Sequence, residues 1–101
     1  MAEIAHLLFP AGHPAFPDHF PENPVVPGAL LLDETLAAVA VRRGLPYEVL
    51  EVRHAKFVQP VRPDQGVELS WEEAGTGLLN VRLQVAGEIV AVLSVGMRTG
   101  S

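Results

Sequence analysis

His19, Asp33 and Gly28 are the residues of this 101-residue chain whose types and settings point to chemistry. His19 sits in "HPAFPDHFPENPVVPG", residues 13–28, where Pro14, Pro17, Pro21, Pro24 and Pro27 restrict the backbone. A histidine titrates near neutral pH, so one that is rigidly held can take or give a proton. Asp33 follows in "ALLLDETLAAVAVRR", residues 29–43, flanked by Leu30, Leu31, Leu32 and Leu36. An apolar setting disfavours the charged form of a carboxyl, which lets it serve as an acid. Gly28 stands at or just before the start of that run. If the run is a helix, free N–H groups and the positive end of the dipole collect there, and a residue without Cβ admits a carbonyl closely. Each also has an ordinary reading. Alone, His19 is a structural or solvent-facing loop residue, Asp33 an exposed helix position or internal cap, and Gly28 a turn residue.

Such residues need elements to hold them. Residues 3–9, "EIAHLLF", read as a first strand ahead of the proline-rich loop. Residues 29–43 read as a helix of good formers, with Arg42 and Arg43 in the last turn and Gly44 as the stop. Its apolar residues Leu30, Leu31, Leu32, Leu36, Ala37, Val39 and Val41 run most of the way round, which predicts burial on most sides. Four strand-like runs follow. Residues 49–58 end at the turn "QPVRPDQG", and 67–72 alternate Val67, Leu69 and Trp71 with polar neighbours. After Gly75-Thr76-Gly77, residues 78–85 alternate Leu79, Val81, Leu83 and Val85. Ala86-Gly87-Glu88 then connects to 89–97, apolar on both faces as a central strand is. Short connections imply an antiparallel sheet with one helix lying across it, an α+β single domain over residues 1–101. Trp71 and Phe57 are expected in its core.

Composition narrows the classes. A chain this short buries about two thirds of its unfolded surface, so its core is thin. Yet 49% of its residues are apolar, which points to further burial against a second subunit. The net charge of −5 argues against nucleic acid and against attraction to an anionic membrane. The absence of cysteine excludes disulfides and thiolate metal sites and suits a reducing cytoplasm. No signal peptide is visible, and the apolar run 29–41 carries Asp33 and Glu34 and is too short to span a bilayer. His13 and His19 with Asp18 match no standard ligand spacing, so no metal is expected. Ser70 and Ser94 lie in strand patterns without a nucleophile elbow.

Two motifs carry a family resemblance. "HFPENPVVPGALLLDE" closely resembles the HFPGxPVxPGxxxxE/D signature of the beta-hydroxyacyl-acyl-carrier-protein dehydratases, the FabA/FabZ-like hotdog proteins. "RHAKFVQPVRPDQGVEL" resembles the ARFxRPVxPGDxL stretch that the same family carries after its central helix. Together the likeness covers roughly residues 13–97, and the short chain resembles the compact dehydratases of aryl-polyene and polyketide clusters. It implies a hotdog fold, with about five antiparallel strands wrapped round one long helix. It implies His19 as catalytic base, Asp33, fourteen positions later, as acid, and the Gly28 N–H as oxyanion donor. Phe20, Val26 and Pro27 would touch the substrate. The reaction implied is dehydration of 3-hydroxyacyl thioesters on acyl carrier protein to trans-2-enoyl thioesters, without a cofactor. Two subunits pair edge to edge in the family, the histidine coming from one and the acid from the other, so a homodimer or higher even oligomer is expected.

The chain departs from the pattern at three places. Asp18 and Glu22 stand where the family usually has glycine, and Ala37 stands where a glutamine four residues after the acid is common. Glu34 is a second acid, about 100° round the helix from Asp33, and spacing favours Asp33. A hotdog thioesterase and a catalytically silent acyl-binding subunit are the alternatives; the substitutions at 18, 22 and 37 are the argument for the latter. Docking an acidic carrier would need a basic patch, with Arg42, Arg43, Arg53, Lys56 and Arg62 as candidates.

Overall fold

A computed structural model describes residues 3–10 and 25–98, so His19 and Phe20, like Asp18 and Glu22, lie outside the described residues. Five strands, β1 (Glu3–Leu8), β2 (Leu50–Phe57), β3 (Gly66–Gly75), β4 (Leu78–Val85) and β5 (Glu88–Met97), form one sheet. Its order is β1-β3-β4-β5-β2, and every neighbouring pair is antiparallel. The period-two pattern decides which face turns inward. Leu69 pairs with Leu83 and Trp71 with Val81, while Val81 meets Leu93 and Leu79 meets Val95. All of these are buried.

Across that inner face lies α1 (Gly28–Arg43), which buries Leu31, Thr35, Leu36, Val39 and Ala40. The helix touches both edge strands, β1 and β2, so the sheet curls round it. Its end is closed as the sequence suggests. Gly44 adopts φ 66, its N–H reaches the Val41 carbonyl, and the Leu45 N–H reaches the Ala40 carbonyl at 2.9 Å. That is a Schellman motif, whose left-handed position favours glycine.

Two local devices shape the sheet. Ala86 and Gly87, the two residues joining β4 to β5, both have positive φ, as a tight hairpin turn of the mirror-image type requires. In β2 the register shifts between Val52 and His54, leaving Arg53 as an extra residue. The bulge lays the Arg53 side chain over Gly96 and lets its guanidinium donate to the Met97 carbonyl at 2.9 Å. A Cβ at Gly96 would run into the Arg53 side chain, so a larger residue there would displace the guanidinium from this crossing.

The structure corrects three expectations. The helix is buried on one face rather than on most sides: Leu30, Leu32 and Ala37 are half-buried, and Val41 is 79% exposed. A single curled sheet covers one side of a helix only. Phe57, expected in the core, is 49% exposed because it ends an edge strand. A 3-10 turn at Tyr47–Val49 also precedes β2; it follows Pro46, whose φ of −64 starts the turn. The remaining strands fall where alternation puts them, except that β3 runs on to Gly75 through its ladder with β4.

Candidate active site

Pro27, with φ −58 and ψ 140, precedes Gly28, the first helical residue. The Leu31 N–H donates to the Pro27 carbonyl at 3.0 Å. The N–H groups of Gly28, Ala29 and Leu30 therefore have no acceptor within the helix. Among the described residues no side chain caps them, and no acid lies in the first turn. Among the described residues, nothing neutralises the positive end of the helix dipole there, which suits a carbonyl oxygen or anion.

Two chain segments frame that opening, and they are the two motifs of the sequence. The Val26 N–H donates to the Val61 carbonyl at 2.7 Å, which ties the approach to the helix to the loop after β2. That loop is held in turn by the Val58 and Gln59 N–H groups, which share the Val90 carbonyl at 2.8 and 3.2 Å. Between the segments lies a mostly apolar cleft of about 410 Å³, lined by Val26, Gly28, Leu31, Phe57, Val58 and Val61 among others. The Phe57 ring rests on Gly28; a Cβ there would meet Phe57 Cζ at 3.3 Å. Of the residues expected to touch substrate, buried Val26 lines this cleft, whereas exposed Pro27 caps the helix and does not line it.

Asp33 lies elsewhere on the same helix. Five residues beyond Gly28 means about 7.5 Å along the axis and about 140° round it. Its carboxylate is exposed, and the Tyr47 hydroxyl donates to Oδ1 at 3.1 Å. The apolar setting expected from its leucine neighbours is thus absent in the single chain. Leu31 and Leu36 turn into the sheet, and Asp33 faces outward to the turn at Tyr47. Glu34 beside it is half-buried.

The sequence pattern alone assigns Tyr47 no role. The signals were present, since it is the single tyrosine and follows the helix stop and Pro46. Its hydroxyl is shifted above the usual tyrosine range, first by partial desolvation and then by the hydrogen bond and charge of Asp33. Glu34 adds to this shift and Arg98 opposes it. At the far end of α1 a second, smaller apolar cavity of about 220 Å³ is lined by Leu45, Leu50, Leu79 and Met97. The Arg43–Glu73 ion pair, 3.1 Å, lies at that cavity.

A family model described as ApeI-like, the ApeI dehydratases, matches residues 2–92. The chain belongs to that family. Curated relatives of this ApeI-like protein include the 3-hydroxyacyl-[acyl-carrier-protein] dehydratase FabZ of Chlamydia caviae, 40% identical over 68% of this chain and 51% of that protein. The FabZ of Chlamydia muridarum is 34% identical over 87% of this chain and 66% of its own length. The chain thus spans between half and two thirds of these relatives. Among solved structures, the dehydratase heterocomplex ApeI:P from Xenorhabdus doucetiae aligns with TM-score 0.73 at 18% identity, covering 97% of this chain and 88% of that one. A 1,4-dihydroxy-2-naphthoyl-CoA thioesterase from Synechocystis aligns with TM-score 0.64 at 11% identity, over 97% and 81%. At such identities the structural likeness establishes the fold, which is the hotdog fold. No helix of the described residues is long and apolar enough to cross a membrane.

Proposed function

We propose that this ApeI-like protein dehydrates 3-hydroxyacyl thioesters, presented on an acyl carrier protein, to trans-2-enoyl thioesters. The observation that carries the reading is the first turn of α1 at Gly28, capped by no described side chain and set in a mostly apolar cleft within a dehydratase family motif. The thioester carbonyl accepts from the Gly28 N–H, which stabilises the charge that develops on it. His19 removes a proton from the carbon beside the carbonyl. The electron pair left behind forms the new double bond as the C3–O bond breaks, and the hydroxyl leaves as water with a proton from Asp33. Proton return from His19 to Asp33 through solvent restores the starting state. No cofactor enters this scheme.

Two chains complete the site. Gly28 and Asp33 stand on different sides of one helix, and Asp33 is exposed where an acid needs water excluded. Phe57 and Val58 are 49% and 52% exposed beside the cleft, and among the described residues β2 is an unpaired sheet edge. Pairing along β2 would cover all of these, giving a homodimer or higher even oligomer. A second, different chain is the other candidate for that place, since the Xenorhabdus ApeI:P structure is itself a heterocomplex. Exposed Arg42 and Lys56 are cations that an acidic carrier would meet, whereas Arg43 holds Glu73 and Arg53 crosses Gly96. Fatty-acid, aryl-polyene or polyketide synthesis in the cytoplasm would supply such substrates.

A thioesterase reading has one observation in its favour, the hotdog thioesterase neighbour. Mass spectrometry of a 3-hydroxyacyl-carrier thioester separates the readings. Loss of one water, abolished in His19→Ala and Asp33→Asn, is the expected result. Release of free carrier would favour the thioesterase. An unchanged substrate across aliphatic and aromatic chains would favour a silent subunit.

A further inference from the structure

We propose that Tyr47 is a positioning residue for Asp33, holding one carboxyl oxygen so that the other faces the departing hydroxyl; the inference rests on the dehydratase reading. Asp33 sits on an exposed helix side, where an unrestrained carboxylate samples several rotamers. Tyr47 donates to Oδ1 at 3.1 Å, and no described residue donates to Oδ2. The tyrosine is itself fixed from outside the helix. It opens the 3-10 turn after Pro46, and the Val49 N–H closes that turn on the Pro46 carbonyl at 3.2 Å.

The helix supplies no such donor one turn beyond Asp33. A glutamine one turn beyond a helical aspartate can hydrogen-bond it, but that position here is Ala37, whose methyl group donates nothing. The donor comes instead from fourteen residues on. Asp33, Glu34 and Arg98 are the charged groups acting on Tyr47, and their balance with desolvation keeps its hydroxyl protonated beyond the usual tyrosine range. It therefore stays a donor throughout the pH range in which a histidine base works.

Two readouts on the intact chain test this. In steady-state dehydration, Tyr47→Phe lowers kcat about tenfold and leaves KM within about twofold, because the lost hydrogen bond orients the acid and does not bind the acyl chain. In an absorbance titration the tyrosinate signal belongs to Tyr47 alone, as the chain has one tyrosine. Its midpoint lies above that of free tyrosine and falls in Asp33→Asn. A Tyr47→Phe protein with wild-type kcat, a loss confined to KM, or a midpoint that Asp33→Asn leaves in place overturns the inference. A wild type that removes no water overturns the dehydratase reading and the inference with it, whereas an active wild type with an unaffected Tyr47→Phe variant removes the inference alone.

Discussion

The middle of the sheet and the β2 end of the molecule obey different rules. Along β3, β4 and β5 every inward residue from Val67 to Val95 finds its neighbours within one chain, and Trp71 is 1% exposed. At the β2 end, residues of the same apolar kind stay open: Phe57 and Val58 are about half exposed and Val25 is exposed beside them. The same end holds the uncapped first turn of α1. One region is finished by folding. The other keeps apolar surface exposed beside a cleft, and the described parts of both family motifs line it.

Substitutions can break or sharpen this contrast. The largest stability effect belongs to the closed region. Trp71→Ala leaves a cavity and removes the bond from Trp71 Nε1 to Glu3 Oε2, 2.5 Å, which ties β1 to β3. A loss of about 3–5 kcal/mol in urea unfolding is expected. Gly28→Ala belongs to the open region and behaves oppositely. The Phe57 ring need yield only slightly to the new methyl, so the melting temperature stays near wild type, while turnover falls about a hundredfold because the methyl obstructs the carbonyl's approach to the N–H. A melting point that collapses with activity would show that Gly28 serves packing alone.

Phe57→Ala should have a smaller effect, and of a different kind. Unfolding of the wild type depends on protein concentration if the β2 end is an interface, and the variant loses that dependence. Sedimentation of an unchanged oligomer would place the interface elsewhere. The smallest effect lies away from both regions. Ala86 holds φ 52 in the β4–β5 turn, a conformation that asparagine tolerates better. Ala86→Asn should stabilise by about 1 kcal/mol, read as a higher urea midpoint without loss of activity.

Most of the fold was legible because its signals are local. Alternation in β3 and β4, the Arg42-Arg43-Gly44 ending of α1 and the short turns each depend on a few adjacent residues. What the sequence did not disclose depends on where elements lie. Phe57 looks like a core aromatic until β2 proves to be an edge strand. Asp33 looks buried among leucines until the helix proves covered on one side, and Tyr47 meets it only because the chain turns back after Gly44. Gly28 was legible in both senses, as the start of the helix and as part of a motif.

Mixing two inactive variants tests most directly whether the site is shared between chains. His19→Ala and Asp33→Asn proteins, unfolded and refolded together, form mixed dimers in which one site keeps both intact residues and the other keeps neither. Random pairing then restores about one quarter of wild-type dehydration. If the variants are dead separately and the mixture is equally dead, although mass spectrometry shows mixed dimers, the base and acid belong to one chain and the two-chain site is wrong.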